Sequence, residues 1–590
     1  MTAEVLVERN VMAPMRDGVR LATDIYRPND DAQYPVLVHR IPYDKSVAQN
    51  IGSQMVNPVV AAEHGYAVVV QDCRGCFQSE GIMTLYGDEH DDGYDTVEWA
   101  AAQPWSNGRV GIYGSSYMGV TTLQAVASAP PHLEAAMAYL TAANLYDGWV
   151  YSGGALELSF NLGYTQGRAM PAMMRMGVDA DRQRDLRRQM SEGARDRMAF
   201  LRTMPLSEAP VLRERDILPY WHDFIDHDTY DDFWKNLDVA GRADEITVPV
   251  MHIAGWYDQF LKGHLGLNLA LQEHPDERVR DTHRFVIGPW DHNSYMGYNL
   301  SRAGDRDFGG RALSGVAVVS DILLQWFDHW LKDEDTPLMS QPRARYFLMG
   351  DENVWCETDT WPPPNTPTSW YLHSSGHANT RFGDGALATE PPGSEIPDSY
   401  SYDPEDPVPT IGGRVFATVT GPGGVRDQAE VETRDDVLVY TSPRLLEPLT
   451  IAGNITVDLW IASSAPDTDF TGKLVDVEPG GYCAVVADGI LRARFRNSFE
   501  EAEFLEPGEP TKLTIDLWDV AYTFKQGHAL RLEISSSNFP RFSRNANSTV
   551  RPEFAGPEDV RVAVQQVFHD AERPSRITLP VLKDAAGGAG

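Results

Sequence analysis

Basic residues are in short supply in this chain: 50 Lys+Arg stand against 85 Asp+Glu, a formal charge of −35. So acidic a surface repels phosphate backbones and anionic lipid, which argues against a nucleic-acid or membrane partner. Cysteine is scarce too. The four residues Cys73, Cys76, Cys356 and Cys483 are too few for a disulfide framework in 590 residues. Cys73 and Cys76 form a C-x-x-C, but no second pair or histidine cluster completes a zinc site, and no thioredoxin-like context surrounds them. No apolar run approaches the ~20 residues of a membrane helix. The start, MTAEVLVERNVMAPMRDG, lacks a basic segment followed by an apolar one, so no signal peptide is expected and the expected location is cytoplasmic. Repeats and extended low-complexity tracts are missing as well.

What is present is the composition of a soluble globular protein, in a chain too long for one core; three or so domains are expected. Two strand-like runs, Val5–Met12 and Val19–Tyr26, flank the hairpin signal Asp17-Gly18. Tyr34–His39, Tyr66–Val70 and Val110–Tyr113 are apolar without alternation, which predicts buried parallel strands. Helical patterns at Tyr94–Gln103 and Tyr117–Ser128 alternate with them, so the order is that of a doubly wound α/β sheet. From about Leu145 to Ala240 the chain turns rich in Met, Arg and aromatics, with a helical pattern over Asp181–Met204, and an inserted helical cap is the simplest reading. Strands resume at Val248–Ala254 and His283–Ile287, followed by an amphipathic helix over Val316–Lys332. Beyond Arg345–Met349 come Pro-rich stretches and short alternating strands such as Ile455–Ile461 and Ala529–Ile534, the pattern of an all-β sandwich. The expected division is 1–144 and 241–354 for the α/β domain, 145–240 for the cap and 355–590 for the β domain.

The strongest chemical signal is Gly114-Ser115-Ser116-Tyr117-Met118-Gly119, between a predicted strand and a predicted helix. A nucleophile on such a turn stands exposed above the sheet, and its neighbours must be small because the turn crowds them. With Ser116 as nucleophile, Gly114 lies two residues before and Gly119 three after. With Ser115, bulky Tyr113 and Tyr117 would occupy the crowded positions. Ser116 is therefore assigned, in a G-x-S-x-x-G where Met118 takes the usual second glycine's place. The acid and base should follow in the order Ser, acid, His at later strand ends. VPVMHIAGWYD puts Asp258 past one strand and HRFVIGPWDH puts His292 past the next. His252 lies within a strand, His329 within a helix, and Asp291 is too close in sequence to reach round to the Nδ1 of His292. One oxyanion donor is expected from the Tyr117 backbone N–H. The early loop Arg40–Lys45 has no glycine run to offer the second, which leaves the Tyr43 hydroxyl, with a core tyrosine as the alternative.

Seven segments together resemble the bacterial cocaine esterase group, relatives of Xaa-Pro dipeptidyl-peptidases and α-amino-acid ester hydrolases. They are VMAPMRDGVRLATDIYRP, IPYDK, QDCRGCFQSEG, GSSYMG, AGWYD, GPWDH and SSSNFPRFSRNANS, spread over nearly the whole chain. The resemblance implies an α/β-hydrolase domain, an inserted helical cap and a C-terminal jelly roll. It also implies that Tyr43 is an oxyanion donor, and that Trp149, Trp256, Phe260 and, from the jelly roll, Phe416 line an acyl pocket suited to a benzoyl-like group. Arg74 and Asp72 are assigned to bracing the loop they sit in. The cap cluster His222, Asp223, Asp226, His227 and Asp228 has no metal-ligand spacing and reads as a solvated surface.

The expected activity is hydrolysis of a carboxylic ester through an acyl-enzyme, with no cofactor or metal and with a small-molecule ester as partner; a homodimer stays open. An aminopeptidase or α-amino-acid ester hydrolase would need pocket carboxylates to hold a substrate ammonium. In Asp147–Gly154, where the latter enzymes carry an extra acid, Ser152 and Gly153 stand instead. A non-catalytic carbohydrate-binding protein is the remote alternative.

Overall fold

The structure, a computed structural model, describes residues 4–47, 55–296, 301–314, 316–416 and 421–582. The hairpin at Asp17-Gly18 forms: β1 (Val5–Pro14) and β2 (Arg20–Pro28) pair antiparallel, and Gly18 takes the positive φ of +88° that the turn demands. Next come β3 (Tyr34–Ile41), β4 (Ala67–Asp72), β5 (Ser106–Ser115) and β6 (Leu133–Tyr139). After the helical insert follow β7 (Val250–Tyr257), β8 (Arg284–Asp291), β9 (Ala344–Leu348) and β10 (Val354–Thr358). Together they make one ten-stranded sheet in the order β1-β2-β4-β3-β5-β6-β7-β8-β9-β10. From β4 to β9 neighbouring strands are parallel. The sheet runs on to Thr358, past the expected boundary at 354, because β10 pairs antiparallel with β9.

Both faces of this sheet are covered, which is why its strands lack polar alternation. Val36 and Val38 of β3 pack on one side with Val97 and Leu123, from helices Glu89–Ala101 and Tyr117–Ala127. Leu37 turns to the other side, into the cluster that holds Trp326 and Phe327 of helix Val316–Lys332. The insert between β6 and β7 holds helices Leu158–Arg175, Ala180–Arg195, Arg197–Leu201, Pro219–Asp226 and Asp232–Lys235. The single helix expected over 181–204 is broken at Asp196. That residue leaves helical geometry, and its carboxylate caps the next helix by accepting from the Ala199 N–H.

The described residues between 365 and 582 form an all-β domain whose main sheet has eleven strands, in which the long strand Leu449–Ser463 pairs antiparallel with Thr511–Phe524. Among the described residues, no helix is long and apolar enough to cross a membrane. Cys73 and Cys76 are free and buried, and burial raises the Cys73 thiol and pushes that of Cys76 up to about 12, so both stay protonated.

Candidate active site

Ser116 caps the helix Tyr117–Ala127 at the end of β5, with φ +55° and ψ −127°. A β-carbon-bearing residue is strained there, and the strain is what lifts its side chain out of the sheet. Two contacts hold the turn: Ser116 N–H donates to Tyr139 O at 3.0 Å, and the Thr141 hydroxyl donates to Ser116 O at 2.7 Å. The glycines expected around it have a measurable reason. A Cβ on Gly114 would lie 2.1 Å from Met118 O, and one on Gly119 would lie 2.5 Å from Thr141 Cβ.

The structure brings the three residues picked from strand ends into one line. Ser116 Oγ is 3.0 Å from His292 Nε2, and His292 Nδ1 is 2.9 Å from Asp258 Oδ2. All three are buried. Asp258 is held in turn by the Phe260 N–H, which donates to its Oδ1 at 2.7 Å. The ends of β7 and β8 meet because the two strands are parallel neighbours, and their register shifts between Gly288 and Asp291, just before His292.

The competing groups are engaged elsewhere. Asp291 accepts from the Ser294 hydroxyl at 3.2 Å, and burial raises its carboxyl above the usual range. His252 lies 3.1 Å from His264 in the core, and burial lowers it well below an ordinary histidine. His329 contacts Glu334 O on an exposed helix end. In the insert, Asp226 pairs with Arg215, His227 with Asp231 and Asp228 with Arg551, while His222 is buried.

The first helical N–H groups have no partner within their own helix, so the Tyr117 N–H is available where the elbow points. Its side chain is pinned behind: the hydroxyl donates to Glu89 Oε1 at 3.0 Å, and Glu89 pairs with buried Arg40 at 2.8 Å. Tyr43 sits on a loop clamped at Lys45, whose ammonium is buried between Asp72 Oδ2 (3.0 Å) and Asn10 Oδ1 (2.8 Å). Arg74 braces the neighbouring loop through Asp92 and Asp17.

Of the expected pocket aromatics, three gather at the imidazole. Phe260 meets the His292 ring edge-on at 4.8 Å and stacks on Trp149 at 3.6 Å, and Phe416 lies 5.4 Å from His292. Trp256 does not join them, and its assignment to the pocket is corrected. Its indole packs on Trp361 at 5.2 Å and donates to Phe347 O at 2.8 Å, within the core shared with the β domain. The cause is strand alternation, which turns the side chain of Trp256 to one face and those of its neighbours to the other.

Sequence reasoning missed Phe160, Tyr164 and Arg168. Phe160 contacts Phe260 at 5.1 Å and Phe416 at 5.9 Å, and Tyr164 stacks on Phe160 at 5.6 Å. The signal was available: the three residues recur every four positions, one stripe along the helix Leu158–Arg175.

Known proteins resemble this chain along nearly its whole length. The profile of the X-Pro dipeptidyl-peptidase (S15) family matches residues 17–294, and that of the X-Pro dipeptidyl-peptidase C-terminal non-catalytic domain matches residues 337–578. An α-amino acid ester hydrolase superposes with a TM-score of 0.81 at 29% identity, covering 98% of this chain and 97% of its own. An aminopeptidase from a marine-sediment Thaumarchaeota archaeon also gives 0.81, at 28% identity, covering 99% and 97%. Cocaine esterase from Rhodococcus sp. is 37% identical over 98% of this chain and 99% of its own. The chain belongs to the cocaine esterase-like family of serine hydrolases.

Proposed function

We propose that the protein hydrolyses carboxylic esters with a bulky or aromatic acyl group through an acyl-enzyme on Ser116. The observation that carries this reading is the line Ser116 Oγ–His292 Nε2–His292 Nδ1–Asp258 Oδ2, at 3.0 and 2.9 Å, walled by Trp149, Phe160, Phe260 and Phe416. His292 takes the serine proton as Oγ attacks the carbonyl carbon, and Asp258 holds the ring's tautomer and faces the imidazolium that forms. The Tyr117 N–H and the Tyr43 O–H stabilise the oxyanion. His292 then protonates the leaving alcohol, and water repeats the cycle to release the acid. In this reading the helical insert is a cap, the β domain is a jelly roll, and the acyl group lies where the three regions meet.

Solved relatives that cleave α-amino esters or peptides support a second reading, in which the substrate carries an ammonium group. The carboxylates at the base of the insert speak against it. Glu157 accepts from Arg541 and from the Ser152 hydroxyl, and Asp147 pairs with Lys262 at 2.8 Å. Each is already neutralised, and an unpaired buried ammonium is costly.

A fluorophosphonate probe and a paired substrate panel test both readings. Labelling that disappears in Ser116→Ala, with p-nitrophenyl benzoate preferred over a p-nitrophenyl α-amino ester, is the expected result. Preference for the α-amino ester would favour the second reading, and absence of labelling would sink both.

A further inference from the structure

Arg168 stands on the insert helix above the loop that carries Tyr43. Its Nη1 donates to Pro42 O at 3.0 Å, its Nη2 donates to the Tyr164 hydroxyl at 2.9 Å, and its guanidinium lies 4.4 Å from the centre of the Tyr43 ring. The hydroxyls of Tyr164 and Tyr43 are 3.3 Å apart. We infer that Arg168 is a positioning residue for Tyr43, acting through Tyr164 in a relay of hydrogen bonds that runs from the helical insert to the oxyanion. This deepens the reading above and rests on Tyr43 being an oxyanion donor.

The direction of the relay follows from what each group can do. A guanidinium only donates, so the Tyr164 oxygen accepts from Arg168. An oxygen already polarised by a cation is a poorer second acceptor, and its own proton is a better donor. Tyr164 therefore gives its proton toward the Tyr43 oxygen, and the Tyr43 proton is turned away from Tyr164. Burial raises the Tyr164 hydroxyl well above an ordinary phenol, so the proton the relay needs stays in place. Each bond strengthens the next in a medium drier than water. Arg168 also fixes the loop directly: Pro42 is held by its fork on one side of Tyr43, and Lys45 is held by Asp72 on the other. A donor clamped on both sides loses little when charge develops on the substrate oxygen, which is the condition for a preorganised oxyanion hole. The guanidinium over the Tyr43 ring adds to this, since a fixed cation beside the donating phenol attracts the negative charge that builds on the substrate oxygen.

The relay is specific to the transition state, so it should appear in kcat and not in KM. The test is steady-state hydrolysis of p-nitrophenyl benzoate by Tyr43→Phe, Tyr164→Phe, Arg168→Met and the double variants with Tyr43→Phe, with thermal melting as the check on folding. Tyr43→Phe is expected to lose ~10²- to 10³-fold in kcat. Tyr164→Phe removes one oxygen and keeps the ring packing, and Arg168→Met keeps an apolar stem of similar length. Each is expected to lose roughly 3- to 10-fold in kcat, the worth of one hydrogen bond, at unchanged KM. In the Tyr43→Phe background both losses should vanish, because the relay then has nothing to hold. If they persist undiminished in that background, or if both single variants keep full kcat while Tyr43→Phe is crippled, the relay is wrong and the oxyanion assignment stands. If Tyr43→Phe itself keeps near-normal kcat, the oxyanion assignment fails and the relay falls with it.

Discussion

Ser115 and Ser116 are adjacent in the chain, yet it is the Ser116 hydroxyl that reaches an imidazole, at 3.0 Å. The Ser115 hydroxyl is buried and has no hydrogen-bond partner among the described residues. Their replacements should therefore behave oppositely. Ser116→Ala is expected to abolish fluorophosphonate labelling and lower kcat roughly 10⁴- to 10⁶-fold with the fold intact, leaving what binding and the oxyanion hole supply. Ser115→Ala should keep turnover and melt at or slightly above the parent temperature, because it removes a polar atom that gains nothing from burial. Mass-spectrometric mapping of the label, beside kcat for both variants, decides the matter. The choice was legible in the sequence because the steric rule acts on nearest neighbours.

At the scale of the element, the elbow and one strand-end clasp make separate expectations. Gly119→Ala would put a methyl 2.5 Å from Thr141 Cβ, on the residue that steadies Ser116 O. It is expected to cost about 1–3 kcal/mol as overpacking and to lower kcat with it, read by melting and turnover together. The β domain carries a second Ser–His array, Ser374 Oγ to His569 Nε2 at 3.2 Å, which resembles a nucleophile and its base. It cannot act as one, since both ring nitrogens face carboxylates: Nδ1 meets Glu395 at 3.0 Å and Nε2 meets Asp398 at 2.9 Å. Burial opposes the imidazolium, but Asp398 and then Glu395 outweigh it and raise the His569 pKa. For a raised histidine the stabilisation is fully present below the unfolded-state pKa and is lost as pH rises through the folded-state value. Asp398 is lowered against its own burial, chiefly by His569, so its share is lost only on going acid. His569→Gln should therefore cost most near pH 6 and progressively less toward pH 9. A destabilisation that stays constant across that range would mean His569 is held neutral.

At the scale of the molecule, the late run SSSNFPRFSRNANS acts as the seat of the helical insert. Ser159 N–H donates to Pro540 O at 3.1 Å where the helix Leu158–Arg175 begins. Arg541 reaches Glu157 at 3.2 Å with one nitrogen and Asp488 at 2.5 Å with another, all three being buried. That helix presents Phe160, Tyr164 and Arg168 to the active site, so the β domain sets their position from a distance. Arg541→Met takes the cation from buried Glu157 and leaves Asp488 only the more distant Arg414 at 3.7 Å, and is expected to cost about 3–5 kcal/mol. It should also lower kcat below that of a variant equally destabilised elsewhere in the β domain, such as His569→Gln. Equal activity in the two, at matched stability, would show that the seat serves stability alone.

The sequence by itself determined what short-range physics controls. Parallel strands show as unalternating apolar runs because both faces are buried, and the elbow shows as small residues because its turn crowds adjacent positions. The order of serine, acid and histidine could be read because each stands just beyond a strand end. Tertiary structure decided which aromatic faces the site. Trp149 and Trp256 occur in similar Gly-Trp contexts, yet one stacks on Phe260 and the other packs on Trp361. Trp256 lies at the end of β7, where strand alternation turns it into the core shared with the β domain. Trp149 lies in a turn beyond β6 and is placed by its packing in the cluster that includes the helical insert. Tertiary structure also decided the long-range pairs. Arg541 and Glu157 lie 384 positions apart, and neither carries a local mark of the other. A charge buried against so distant a partner becomes favourable only once the domains have closed around it, so no pattern along the chain could announce it.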